Sequence, residues 1–388
     1  MERTLSARER RLSLSVVIAG VFGVGIAFGA LVPLVGLLLD RRGIGATWIG
    51  LNAAMFPIAT IMVGPVLPRL VARLGTLRSM YLGLGLSAAF SALFPVLPEV
   101  WAWFVLRYLI GVAAGMHWVV SETWINSIAT DRDRGLVMGI YATVLAAGFA
   151  LGPSMLNLTG IDGAPPFMVV AVALLLSAAP LALAAEVAPA MPARPERGLR
   201  PLIAVAPAVM VAAVVGGFVD SALFALLPVY GLALGLDQTD AVLLLTAFIG
   251  GNVLLQVPLG WIADRTSRRG VLLACVAVAL LGTVLLPLLA KGGPAAGRAL
   301  LWPTLFVWGG TAFGIYTVGL SLLAERFPRA ELAAANTAFV MAYETGSLSG
   351  PVTAGGAMDA LGPHGLVITV AVVCALFLLA SLRRRSPG

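Results

Sequence analysis

Charged residues are scarce in this chain. Only 11% of its 388 residues are charged, whereas 60% are apolar, and a soluble domain carries roughly a quarter charged residues. The mean hydropathy is +0.99, so most of the surface must face something other than water. We therefore predict an integral membrane protein whose surroundings are a lipid bilayer.

Cysteine and histidine are scarcer still, with two of each. Cys275 and Cys374 lie inside apolar runs, which predicts small packing residues. His117 lies within a span, and we expect it to hydrogen-bond a helix carbonyl rather than relay protons. Because the chain also lacks CxxC, HExxH and Walker-type motifs, we expect no metal, no cofactor and no enzymatic activity.

Long apolar runs are abundant instead. Ser13–Leu39 has no charged residue and Leu202–Leu236 has only Asp220, and about 20 apolar residues cross the hydrocarbon core as a helix. The alternating strands of a membrane β-barrel are not indicated. The runs predict an all-α integral membrane protein with twelve transmembrane helices, over residues 13–39, 47–68, 77–97, 100–128, 135–157, 167–186, 202–235, 240–262, 270–290, 300–324, 331–358 and 363–382.

Basic residues divide unequally between the two sides of the membrane. With the N-terminus in the cytoplasm, Arg41, Arg42, Lys291 and Arg298 are outside, Arg107 is within a span, and the other 20 of the 25 basic residues are cytoplasmic. This bias predicts cytoplasmic N- and C-termini in a bacterial inner membrane. Because the basic residues lie in short loops between spans, the net charge of +7 does not predict a nucleic-acid partner.

The chain repeats its patterns at an offset of about 200 residues, as duplicated transporters do. A Pro-rich and charged stretch, 187–200, separates residues 1–186 from residues 201–388. We predict two six-helix bundles, arranged as pseudo-repeats and joined by a cytoplasmic inter-domain loop. The repeated helix-packing motif, whose glycines allow close helix approach and whose prolines bend the helix, comprises Gly139, Gly148, Gly152, Pro153, Gly346, Gly350 and Pro351.

A few charged residues remain inside the predicted spans, although each costs about 2.5–3.5 kcal/mol there. They are Arg107, Glu122, Asp220 and Glu344. An acid in an apolar cavity can bind and release a proton as access alternates. We therefore predict proton coupling by this set and expect at least one of its three acids to be essential.

Two other roles for these charged residues stay open. The acids could be structural, bound to neighbouring hydroxyls or to Arg107. Glu122 could instead organise a cytoplasmic gate with Arg132 or Arg134. Arg107 and Glu122 do not pair directly, because they are about 22 Å apart along one helix.

Uncharged polar and aromatic residues complete the predicted cavity. Asn252 and Gln256 share a helix face, and so do Asn336 and Tyr343. The substrate-cavity candidates are Trp118, Tyr141, Asn252, Gln256, Tyr316, Asn336 and Tyr343. For the tyrosines, anchoring at the membrane interface is the alternative.

A glycine followed by an acid and a basic cluster stands at the cytoplasmic end of the eighth span. This gating-loop motif comprises Gly260, Asp264, Arg265, Arg268 and Arg269. An aspartate at a helix end can pair with arginines and hold one conformation, although positive-inside loop charge alone is the alternative. The first-half copy has Gly64, Arg69 and Arg73, with Pro68 at the place of the acid, which weakens the predicted latch role there.

Residues Gly260 to Arg269 resemble the loop signature of the major facilitator superfamily, and the resemblance extends over essentially the whole chain. Arg107 with Gly111 and Gly115 resembles the fourth-span motif of proton-linked members. The spacing of Gly139, Gly148, Gly152 and Pro153 resembles the fifth-span signature of antiporters, although Leu156 and Asn157 replace its closing glycines. Trp118 to Trp124 and Ala342 to Pro351 resemble the YcaD-like branch of the superfamily.

The resemblance implies the major facilitator fold and a secondary active transporter that works by alternating access. We predict proton-coupled export of a small organic or amphipathic solute, by a monomer. Proton-coupled uptake uses the same parts and stays open. A membrane sensor or scaffold that keeps the fold without transport is the alternative of another class.

Overall fold

The computed structural model describes residues 6–64, 66–129, 134–188, 206–291, 296–327 and 329–383, and within these ranges it is helical without strands. The helices are α1 Ala7–Arg41, α2 Ala46–Val63, α3 Leu67–Leu74, α4 Thr76–Leu93, α5 Val100–Ile128, α6 Arg134–Thr159, α7 Pro165–Ala178, α8 Pro207–Ala233, α9 Gln238–Arg265, α10 Arg268–Lys291, α11 Ala296–Arg326, α12 Arg329–Leu361 and α13 Gly365–Arg383. A 3-10 segment, Ala179–Val187, continues α7.

Ten helices in the described ranges are long and apolar enough to cross a membrane. They are α1, α2, α5, α6, α7 with its 3-10 continuation, α8, α9, α10, α11 and α13. The third and eleventh predicted spans correspond to α4 and α12. These two helices have polar side chains along their length, including Ser87 and Ser91 on α4 and Asn336 and Glu344 on α12.

The second predicted span extends too far. Its helix, α2, ends at Val63, and a short separate helix, α3, follows from Leu67 to Leu74. Arg69 and Arg73, predicted to lie in a loop, are on this short helix and are exposed. Eight amphipathic residues directly after an apolar run give too weak a hydropathy signal to stand out as an element of their own.

The sixth predicted span agrees with a candidate membrane span, Pro165–Ala185, but its helix changes type along its length. α7 ends at Ala178, and the chain continues as a 3-10 segment that includes Pro180, where proline cannot donate the α-helical hydrogen bond. α8 begins at Pro207, and residues 202–205 of the seventh predicted span lie outside the described residues. Asp220 lies at the middle of α8.

The chain divides into two compact units. The N-terminal unit consists of Met1–Leu34 and Ile58–Arg194. In its described part, α1 packs on α6 through glycines: a Cβ on Gly148 would lie 2.3 Å from the carbonyl oxygen of Phe22 and 2.9 Å from Cα of Gly25. Only glycines allow two helix backbones to come this close.

The C-terminal unit consists of Val35–Pro57 and Pro195–Gly388. α8 is its most enclosed helix, with buried residues on nearly every face. It packs closely on α12, where a Cβ on Gly217 would lie 2.0 Å from the carbonyl oxygen of Tyr343. α9 packs on α11 in the same manner, with Gly251 against the Phe306 carbonyl oxygen. Two glycine-mediated helix pairs thus hold the candidate side chains of this unit in place.

The predicted bundle boundaries stay a prediction. Most of the predicted inter-domain loop, from residue 189 to residue 200, lies outside the described residues. The segment Val35–Pro57 contains the end of α1, the connecting turn and the first part of α2. It belongs to the same compact unit as the C-terminal helices.

Candidate functional site

Among the described residues of the C-terminal unit, Asp220 is the most enclosed acid, with 3% of its surface exposed. The α8–α12 glycine contact brings it against Tyr343, whose hydroxyl donates a hydrogen bond of 3.0 Å to Asp220 Oδ2. The other carboxyl oxygen, Oδ1, is buried and has no hydrogen-bond partner among the described residues. A charged carboxylate here would keep one oxygen unpaired in apolar surroundings, which is costly.

An aromatic group surrounds the Tyr343 end of this pair. The ring of Tyr316 meets the ring of Tyr343 edge-on at 5.0 Å, and the Tyr316 and Phe339 rings are 5.2 Å apart. We call Asp220, Tyr343, Tyr316 and Phe339 the Asp220 cluster. Three of its members are sequence-predicted candidates, and Phe339 was missed because a phenylalanine in an apolar run carries no distinguishing signal.

Two further candidates lie on α12. Glu344 follows Tyr343 and is half-buried, and it makes no hydrogen bond with a described residue. Asn336 is also half-buried, and its Oδ1 lacks a partner in the described part of the chain. The helix therefore presents two polar groups that are available to a ligand.

Gln256 on α9 is tied to α11. Its Nε2 donates to the Gly310 carbonyl oxygen at 3.3 Å, and its Oε1 accepts a short hydrogen bond from Thr317. Asn252, one turn earlier, is half-buried. Gln256 thus has both amide ends engaged, and Thr317 is a polar residue that sequence reasoning missed.

A second cluster lies in the N-terminal unit. Trp118 Nε1 donates to Glu122 Oε1 at 2.9 Å, and the hydroxyls of Ser121 and Tyr141 are 3.0 Å apart. The Trp118 ring lies 6.4 Å from that of Phe149. We call these five residues the Glu122 cluster. The fold brings together Trp118, Glu122 and Tyr141, three candidates that the sequence proposed separately.

Arg107 and His117 are buried on α5. Arg107 is 3% exposed, and its Nε has no hydrogen-bond partner in the described ranges. The predicted hydrogen bond from His117 to a helix carbonyl is wrong, because both ring nitrogens are buried without a partner there.

The gating-loop motif forms an ion-pair network at the ends of three helices. Arg268 bridges Asp264 at 2.8 Å and Glu325 at 2.7 Å. Arg269 Nη2 donates to the Ser381 carbonyl oxygen at 2.8 Å, and Arg265 lies 4.1 Å from the Trp261 ring centroid. Glu325 was missed, although an acid beside Arg326 at a helix end was a usable signal.

We expect Arg268→Ala to lower the free energy of unfolding by about 1 kcal/mol or less, because exposed ion pairs contribute little. The difference should vanish at high salt, which screens such charges. Denaturant titration in mild detergent at low and high salt measures both effects, with Arg265→Ala as a matched control outside the bridge. A loss of several kcal/mol that persists in salt would contradict this account.

The glycines of the motifs differ in their surroundings. Gly148, Gly152, Gly346 and Gly350 lie in tight backbone contacts. A Cβ added to Gly139 or to Gly260 would meet nothing within 4 Å, and one on Gly64 would lie 2.8 Å from the Thr60 carbonyl oxygen. Pro153 and Pro351 lie inside α6 and α12. In the described part of the chain, no three His, Cys, Asp or Glu side chains group as metal ligands.

Comparisons with known proteins agree with this architecture. The model of the Major Facilitator Superfamily matches residues 17–320 and 209–388. The uncharacterized MFS-type transporter YfkF of Bacillus subtilis is 26% identical over 382 residues, covering 94% of each chain. The uncharacterized MFS-type transporter YcaD of Shigella flexneri is 24% identical over 372 residues, again covering 94% of each.

Solved structures share the fold at low identity. A crystal structure of the nucleoside transporter NupG superposes with a TM-score of 0.81 at 13% identity, covering 97% of this chain and 100% of that one. A bacterial homologue of the lysosomal transporter Spinster gives 0.72 at 13% identity, covering 99% and 100%.

These findings confirm the predicted fold and the predicted YcaD-like resemblance. The relatives and structural neighbours are transporters and not enzymes. The chain is therefore a multi-pass secondary transporter that moves a small solute across a lipid bilayer, and it belongs to the major facilitator superfamily.

Proposed function

We propose that the chain couples the movement of its solute to protons, with Asp220 as the group that binds and releases the proton. The observation that carries this proposal is the Asp220 carboxyl, buried at the middle of α8 with Oδ1 unpartnered among the described residues. A charged side chain at this depth costs on the order of 3 kcal/mol. Protonation removes that cost, so proton binding and burial of the carboxyl favour each other.

Glu344, Glu122 and Arg107 complete the proposed coupling set. Glu344 follows Tyr343, the residue that holds Asp220, on α12 and is half-buried. Glu122 is held by Trp118, which supports a positioned rather than a freely moving carboxyl. Arg107 is buried on the same helix, and it supplies a positive charge to the N-terminal unit.

For the solute we propose a small organic or amphipathic molecule. The two clusters combine aromatic rings with hydroxyl and carboxyl groups, and this mixture is typical of sites for such ligands. Tyr316, Tyr343, Trp118 and Tyr141 would supply apolar contact. Asn252, Gln256 and Asn336 would supply hydrogen bonds.

The proposed direction is export from a bacterial cytoplasm across the inner membrane. Its support is the glycine spacing of α6, which resembles that of antiporters, and proton-coupled uptake is the competing direction. The arginine bias supports cytoplasmic termini. We also propose that the transporter works as a monomer, with the gating-loop network stabilising one of its conformations.

Purified protein in liposomes that contain a pH-sensitive dye tests the proposal. Uridine, ethidium and chloramphenicol are added in turn, as a nucleoside, an organic cation and a neutral amphipathic solute. We expect the transport of at least one solute to be accompanied by proton movement, which changes the pH inside the liposomes. The direction of this pH change distinguishes exchange from symport. A solute that is carried while the internal pH stays constant contradicts proton coupling. Protein that carries no solute, and whose acid-to-amide variants leave cells unchanged, favours the sensor alternative.

A further inference from the structure

A carboxylate of α12 caps the N-terminus of α2 within the C-terminal unit. Asp359 Oδ1 accepts a hydrogen bond of 2.8 Å from the Ala46 backbone N–H. Asp359 Oδ2 accepts bonds of 2.9 Å and 2.5 Å from the backbone N–H and the hydroxyl of Thr47. These are free N–H groups of the first turn of α2, where a negative charge is favoured. The residue before α2 is Gly45, which has no side chain to provide a cap of its own.

Close backbone contacts accompany this cap. A Cβ on Gly50 would lie 2.0 Å from the Pro351 carbonyl oxygen, and one on Gly355 would lie 2.2 Å from the Ala46 carbonyl oxygen. Arg41, before the turn, donates to Gln238 at 2.6 Å. The hairpin Val35–Pro57 is therefore docked on α9 and α12 through both of its arms and its turn.

The hairpin is joined to the rest of α1 and α2 at two prolines. Pro33 lies inside α1 next to the boundary between the units, and Pro57 lies inside α2 at that boundary. Each proline removes a helical hydrogen bond and weakens its helix there. The two prolines are therefore the points at which the hairpin can bend away from the C-terminal helices. Ala54, one turn after Gly50 on the same face of α2, is fully buried.

We propose that Asp359 is a releasable latch, which holds the α1–α2 hairpin on the C-terminal helices and so restricts access to the transport pathway from the outer side. Rocking of one half against the other requires contacts that break and re-form in each cycle, and the cap on α2 is a contact that depends on a single side chain. Asp359 is exposed to solvent, so release does not leave its charge buried. The outer assignment depends on the proposed orientation, whereas the docking itself does not.

A distance measurement tests the latch without any solute or gradient. The two native cysteines, both buried, are replaced by serine, and spin labels are placed at Arg42→Cys and Leu361→Cys in liposomes. We expect one main distance in the parent. In Asp359→Ala, a second and longer distance between the two labels should appear. The ratio of released to docked hairpin should rise about tenfold, which corresponds to a loss of about 1.4 kcal/mol.

Asp237→Ala is the matched control. Asp237 caps α9 through a 2.8 Å bond to the backbone N–H of Asp240, so its loss removes a cap of the same kind within one helix. We expect this variant to keep the parent distance. An unchanged distribution in Asp359→Ala, or an equal change in both variants, overturns the latch.

Thiol accessibility tests the gate and its side. In the cysteine-free background, Ala54→Cys, on the docked face of α2, is treated with a membrane-impermeant maleimide on intact cells. We expect labelling to be slow with Asp359 present and about tenfold faster with Asp359→Ala, matching the distance populations. Faster labelling only in inverted vesicles would overturn the outer assignment, and no acceleration on either side would overturn the gate. Failure of proton coupling leaves all of these results unchanged, which separates the two proposals.

Discussion

Asp220→Asn should abolish the solute accumulation that a pH gradient drives, while solute-for-solute exchange continues. The amide has nearly the shape of a neutral carboxyl but neither binds nor releases a proton. One pH unit is worth about 1.4 kcal/mol per proton, so a one-to-one exchanger accumulates its solute about tenfold per unit. The variant should bring this ratio to one.

The physical basis of this expectation is the asymmetry of the two carboxyl oxygens. Oδ2 is held by the Tyr343 hydroxyl, which fixes the orientation of the carboxyl, whereas Oδ1 is buried without a partner among the described residues. A proton on Oδ1 therefore changes the energy of the buried carboxyl more than a proton on Oδ2 would. Asparagine keeps the Oδ2 bond, so it should preserve the packing of α8 on α12 while it removes the titrating atom.

The measurement uses liposomes with a gradient of one pH unit and whichever solute of the panel moves. Asp220→Glu should retain partial coupling, because it keeps an acid. Asp237→Asn changes an acid to an amide at a helix cap outside the site, and it should behave as the parent. Accumulation by Asp220→Asn at the parental ratio would remove Asp220 from the coupling role and leave Glu344 and Glu122 as the carriers.

Much of the fold could be predicted because hydropathy is a local signal. A run of about 20 apolar residues indicates a spanning helix wherever it occurs, and twelve such runs were found. α3 was missed because its eight residues directly follow α2, and a short amphipathic helix has no such signal. The beginning of α8 at Pro207 was missed because apolar residues precede it, and hydropathy does not mark helix ends.

The sequence identified the residues of the candidate site, but not which of them form hydrogen-bonded pairs. Asp220 and Tyr343 were each selected by residue type and position in a span. Their hydrogen bond joins residues 123 positions apart, and it depends on how closely α8 approaches α12. The Asp264–Arg268 pair, by contrast, is four residues apart on one chain segment and was accessible to sequence reasoning. Asp359 was not singled out, because its partners are backbone N–H groups that leave no mark in the sequence.

The same argument applies to the glycines, where one substitution should have opposite effects at different positions. Gly217→Ala should lower the free energy of unfolding by about 3 kcal/mol or more, because overpacking forces backbones apart. Its Cβ would lie 2.0 Å from the Tyr343 carbonyl oxygen, and a Cβ on Gly346 would lie 2.0 Å from that of Val214. Both atoms are backbone, so a rotamer change cannot relieve either clash.

Gly260→Ala and Gly139→Ala are the matched controls on α9 and α6. Nothing lies within 4 Å of the added Cβ at either position, and alanine favours a helix over glycine by about 1 kcal/mol. We expect both controls to be neutral or slightly stabilising in denaturant titrations of the detergent-solubilised protein. Because Gly217 also sets the approach of Tyr343 to Asp220, Gly217→Ala should additionally weaken gradient-driven accumulation in any fraction that folds. A neutral Gly217→Ala would mean that α8 and α12 are not in backbone contact, and the proposed fixing of Asp220 by Tyr343 would then fail with it.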